Sequence, residues 1–138
     1  MQTFYFTDPG KVRTHNEDSV TIISNDHNEF ILAVADGMGG HKAGEVASAI
    51  AIEHIKESFY SIESIGNKEE AIDYLRMIVK EINEKIFDYA RKNPESKGLG
   101  TTLVIAIRTD DYILYGNIGD SSGYVIKNNA LHKVTKDH

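Results

Sequence analysis

The sequence has 138 residues, 41% of them hydrophobic and 26% charged, which suits one compact domain and leaves no room for two of ordinary size. Its 15 Lys and Arg against 21 Asp and Glu leave a net charge of −6, a balance unsuited to coating nucleic acid or an anionic membrane, since both need a cationic excess. The absence of cysteine excludes a disulfide framework, a thiolate metal site and a cysteine nucleophile.

Residues 1–41 read as strands. Phe4 and Phe6 begin the first, Ser19 to Ser24 form the second, and Phe30 to Ala35 the third. The third is apolar on both faces, which predicts a central strand covered on both sides. Residues 43–92 read as two helices. In the first, Ala47, Ala51, Ile55 and Phe59 recur every four residues, with Val46 and Ile50 beside them. The second begins where Asn67 can cap and Glu70 can reach back as in a capping box. Its stripe is Ala71, Leu75, Ile78, Val79, Ile82, Ile86 and Tyr89; Arg91 and Lys92 suit its negative C-terminal end, and Pro94 stops it. Strands return at Thr101 to Ile107, Tyr112 to Gly116, Tyr124 to Lys127 and Leu131 to Val134, with turns at Thr109-Asp110-Asp111 and Asn128-Asn129.

Strands, two consecutive helices and more strands do not alternate as a parallel α/β fold would. The order predicts an α+β fold, mostly antiparallel, with an α-helical hairpin packed on a sheet face. The longest apolar runs, Phe30 to Ala35 and Leu103 to Ile107, fall far short of the ~20 residues of a membrane span. Met1-Gln2-Thr3 has neither the basic start nor the apolar core of a secretory signal, so a cytoplasmic protein is expected.

Three segments carry candidate chemistry. In the first, the strand Phe30 to Ala35 runs into Asp36-Gly37-Met38-Gly39-Gly40-His41 and then a helix. An isolated Asp-Gly is usually a turn. A glycine-rich turn lets the backbone approach a ligand closely, and a carboxylate at a strand end suits a hard cation that takes oxygen ligands. The second segment, Arg13-Thr14-His15-Asn16-Glu17-Asp18, alone reads as a solvated loop. It nevertheless joins an arginine whose planar fork matches phosphate to carboxylates suited to holding metal-bound waters. The third, Gly119-Asp120-Ser121-Ser122-Gly123, again puts a carboxylate after an apolar strand, and alone reads as a polar turn.

Taken together, these pieces resemble the N-terminal part of a metal-dependent protein phosphatase of type 2C (PPM), in its bacterial form. The resemblance rests on Gly10-Lys11-Val12-Arg13, Asn16-Glu17-Asp18-Ser19, Val34-Ala35-Asp36-Gly37-Met38-Gly39-Gly40-His41, Gly44-Glu45, Gly100-Thr101-Thr102-Leu103, Gly119-Asp120-Ser121 and Thr135-Lys136-Asp137-His138, in the family's order over essentially the whole chain. It implies a β-sandwich flanked by helices, two Mn²⁺ or Mg²⁺ ions in a cleft at the sandwich edge, and hydrolysis of phosphoserine and phosphothreonine in proteins by a metal-bridging hydroxide. Asp36 matches the carboxylate that bridges the metals and Gly37 a carbonyl ligand; Glu17 and Asp18 match residues that hold metal-bound waters. Arg13 matches the phosphate-binding arginine, and Asp120 the ligand of a third, weaker metal site.

Met38 stands where animal members carry a histidine proposed as general acid. His41 is the nearest candidate for protonating the leaving oxygen; the alternative is a helix-entry residue bonded to backbone. Ser122-Gly123 replaces the family's usual arginine and alanine. The resemblance further implies that residues 1–138 are the N-terminal portion of a single phosphatase domain. The missing portion carries two further aspartates, so this chain alone is expected to fold but to be weak or inert. Its partners would be phosphoproteins made by a Ser/Thr kinase, with dimerisation through open sheet edges. Two rivals remain: a phosphatase-like module that binds without turnover, and a serine hydrolase using Ser121 in a G-x-S-x-G elbow. The elbow requires a helix after the serine, where a strand is expected here.

Overall fold

A computed structural model describes residues 1–40 and 42–138. The elements in chain order are β1 (Asp18–Ser24), β2 (Phe30–Met38), α1 (Ala43–Ser61), α2 (Lys68–Lys92), β3 (Gly100–Thr101), β4 (Leu103–Arg108), β5 (Ile113–Ile118), β6 (Tyr124–Lys127) and β7 (Ala130–Lys133). One sheet runs β1-β2-β4-β5 with β3 also paired to β2, and every pairing in it is antiparallel; β6 and β7 form a separate hairpin. Asn128 and Asn129 turn that hairpin with φ of 53° and 61°, the left-handed pair that a tight two-residue turn demands.

The two helices cover one face of the sheet. Alternation in β2 and β4 sends Ile31, Ala33, Ala35, Leu103, Ile105 and Ile107 inward, where they meet Ala51, Ile55 and Phe59 of α1 and Ala71, Ile78 and Ile82 of α2. The α1 stripe lies buried as its spacing predicts. At the start of α2, Asn67 Oδ1 accepts from the Glu70 amide (2.9 Å) and Glu70 Oε1 from the Asn67 amide (3.2 Å), completing the capping box. Tyr74, absent from the predicted stripe, is buried too, its hydroxyl 3.0 Å from Ser58 Oγ.

Three expectations are corrected. Phe4 and Phe6 form no strand; they are 86% and 76% exposed and make no ladder with the sheet. Alternating aromatic residues supply a strand's pattern, but a strand also needs an edge to pair with. Second, β2 is central in the sheet, yet only its helix-facing side is fully buried, while Phe30 and Leu32 on the other side are half-buried. Val34 on the opposite side is 45% exposed. Third, the segment predicted as one strand from Thr101 to Ile107 is interrupted at Thr102 without a change of register. Gly37 pairs with Thr101 and Val34 with Val104, which sets Thr102 opposite Asp36.

Candidate functional site

The C-terminal end of β2 is where the candidate residues converge. Gly37 donates its amide to the Glu17 carbonyl (3.0 Å), joining the Arg13-to-Asp18 segment to the glycine turn. Gly37 also touches Gly44 at the start of α1, backbone on backbone. A Cβ on Gly37 would lie 1.8 Å from the Gly44 carbonyl oxygen, and one on Gly44 would lie 2.3 Å from Glu17 Oε2. Only glycine fits at either position, which explains two of the glycines that mark this region in the sequence. The Asn16 side chain shapes the approach to β1 by accepting from the Asp18 amide (2.9 Å).

Arg13, Glu17, Asp36, Gly37 and Asp120 share one open cleft of about 340 Å³ with Met38, Gly39 and Thr102. Asp18 stands directly opposite Asp36 in the β1–β2 register. The structure therefore brings together every predicted site residue except His41, which lies outside the described residues.

Like charges directly opposite on neighbouring strands repel. The Asp36 carboxyl is pushed above its ordinary range, by burial first and by this repulsion second. Desolvation is the main cause, followed by the charge and hydrogen bond of Asp18 and then by the charge of Asp120; the charge of Arg13 opposes them. A cation among these oxygens would relieve that strain, and an all-carboxylate and carbonyl donor set suits hard Mg²⁺ or Mn²⁺. The residues present therefore fit part of a divalent-metal site. Among the described residues no three His, Asp or Glu side chains converge closely enough to hold an ion by themselves.

Sequence reading had Thr102 only as part of the Gly100-Thr101-Thr102-Leu103 match and gave it no role at the site. Its amide donates to the Asp36 carbonyl (2.9 Å), and its hydroxyl takes the Asp36 amide (3.1 Å) where a ladder carbonyl would ordinarily accept. Ser121 Oγ lies 2.8 Å from Thr102 Oγ1. Ser121 is followed by Ser122, Gly123 and then β6 rather than a helix, so the hydrolase elbow is absent.

Residues 11–138 match the family described as Protein phosphatase 2C. The chain belongs to that family. It is 40% identical, along its whole length, to the serine/threonine phosphatase stp of Listeria welshimeri, and 31% to the protein phosphatase PhpP of Streptococcus pneumoniae, covering 55% of each. Among solved structures, the Staphylococcus aureus serine/threonine phosphatase Stp1 matches with a TM-score of 0.86 at 41% identity, over 96% of this chain and 52% of that one. The catalytic domain of the phosphatase PstP in complex with two manganese ions matches at 0.78 and 35%, over 94% and 53%. The chain thus spans about half the length of the curated relatives it matches. No helix among the described residues is long and apolar enough to cross a membrane.

Proposed function

We propose that this chain supplies the phosphate-binding arginine and part of the metal-binding carboxylate set of a Mn²⁺- or Mg²⁺-dependent phosphatase acting on phosphoserine and phosphothreonine in proteins. The observation that carries this reading is the cleft itself, where Asp36 faces Asp18 across β1–β2 with Asp120 and the cation Arg13 close by.

Asp36 and the Gly37 carbonyl would hold the metal pair directly, Glu17 and Asp18 its waters, and Asp120 a third, weaker ion. When bound, such ions neutralise phosphoryl charge and lower the pKa of water. Arg13 binds the phosphoryl oxygens; its exposed guanidinium has fork geometry for two of them. Because Asp18 and Asp36 sit on paired strands, their separation is set by the ladder rather than by flexible loops, and the cleft is organised before any ligand arrives. His41 is the candidate for protonating the leaving serine or threonine oxygen.

The remaining carboxylates for the ion pair lie outside residues 1–138 on this reading, which makes the chain alone a weak catalyst. The separation of its own carboxylates favours this, since no three converge among the described residues. The same observation keeps a second reading in view, a module that binds phosphoprotein without turnover. Hydrolysis of p-nitrophenyl phosphate by the purified chain in excess Mn²⁺, with calorimetry for stoichiometry, separates the cases. Slow turnover with fewer than two ions per chain is expected. Two ions with turnover matching a full-length relative would contradict the partial-site reading, and tight phosphopeptide binding with none would favour the module.

A further inference from the structure

We propose that Thr102 is a positioning residue that couples the Asp36 carboxylate to the Asp120 turn, so that a divalent cation engaging one is felt at the other. The inference rests on the metal reading above.

The geometry is a bracket. On one side Thr102 engages both main-chain polar groups of Asp36, donating its amide to the carbonyl (2.9 Å) and accepting the amide on its hydroxyl (3.1 Å). On the other it meets residues flanking Asp120. Its hydroxyl is 2.8 Å from Ser121 Oγ, and its methyl packs against Gly119, whose φ is +99° and where an added Cβ would lie 2.7 Å from Thr102 Cγ2. Thr102 therefore spans from the strand end carrying one carboxylate to the turn carrying the other. Ser121 cannot move far without disturbing the hydroxyl that fixes the Asp36 amide, nor Gly119 without displacing the Thr102 methyl. The Thr102 hydroxyl, which accepts from the Asp36 amide, is free to donate its own proton to Ser121 Oγ, and in that orientation the two bonds strengthen each other. Asp120 itself is left facing the cleft. Valine would reproduce the shape and lose the link, whereas serine would keep the link and lose the methyl.

The test is amide NMR of this chain titrated with Mg²⁺. In the parent, the first step of the titration is expected to shift Asp36 and Gly37 and, with the same midpoint, Gly119 to Ser121, before any weaker ion at Asp120 adds a later step of its own. Thr102→Val is expected to separate the two midpoints by at least about threefold and to speed exchange at the Asp36 amide about two- to tenfold. Thr102→Ser is expected to restore the common midpoint. Ser121→Ala should resemble Thr102→Val, and the double variant should be no worse than either, as for two members of one link. A common midpoint retained in Thr102→Val overturns the coupling while leaving the metal reading standing. Equal disruption by Val and Ser would overturn it too, by reducing Thr102 to a packing contact. Mg²⁺ shifts at neither cluster would remove the metal reading and the coupling together.

Discussion

Replacing Gly37 with alanine puts a methyl carbon where the Gly44 carbonyl oxygen already is, 1.8 Å away, with the Gly44 carbonyl carbon and Cα at 2.4 and 2.8 Å. Every clashing atom is backbone, so no rotamer change relieves it; either β2 or the first turn of α1 must shift. Overpacking of this kind costs about 1–3 kcal/mol, and the upper end applies because nothing flexible can yield. At about 2.1 cal/mol/K of unfolding entropy per residue, a chain of 138 residues loses about 3.5 °C per kcal/mol, so Gly37→Ala should melt about 10 °C below the parent. Circular dichroism at the helical band gives the midpoint. Gly40 provides the control: an added Cβ there meets nothing within 4 Å, and Gly40→Ala should be neutral to about 1 kcal/mol stabilising. A Gly37→Ala midpoint within about 3 °C of the parent, or equal losses in both variants, would refute the close approach of β2 and α1.

Three further outcomes follow from the same geometry. Asp36 has a raised carboxyl pKa in the fold, so its contribution to stability is present below its unfolded pKa and lost as pH rises through the folded one; metal-free parent should therefore lose stability relative to Asp36→Asn across the acid range, as urea midpoints at several pH values would show. Arg13→Ala removes a charge-assisted contact worth about 1.5–3 kcal/mol and should raise KM for a phosphopeptide about 10- to 150-fold in the whole enzyme, while Mn²⁺ affinity by calorimetry changes far less. Asn67→Ala breaks the capping box of α2 and should cost about 1 kcal/mol, a drop of about 3 °C in the melting midpoint, with no change in Mn²⁺ binding.

What could be read from the sequence was what local chemistry decides. Asn67 and Glu70 specify a helix start through bonds three residues apart, and Asn128-Asn129 specifies a turn through its tolerance of positive φ. The period of four in α1 names its buried face directly. Asp36 stood out because an apolar strand ending in a carboxylate and glycines is an unusual juxtaposition in the chain itself. Thr102, though part of the Gly100-Thr101-Thr102-Leu103 match, gave no comparable signal of a role of its own. A threonine in a strand is ordinary, and its role comes from Asp36 and Ser121, which lie 66 and 19 residues away along the chain. Phe4 and Phe6 show the converse, a strand-like pattern with no partner to pair with. The apolar outer side of β2 shows that hydrophobicity identifies a surface to be covered without saying what covers it.

The most direct test of the metal-dependent phosphatase reading is phosphate release from a phosphothreonine peptide, measured in Mn²⁺ and in chelator, for the parent and for Asp36→Asn at the full length of the relatives. The account predicts release that requires Mn²⁺ in the parent and falls to the chelated background in Asp36→Asn, with both proteins folded. Release that persists in chelator, or an Asp36→Asn protein that keeps the parent rate, would contradict it.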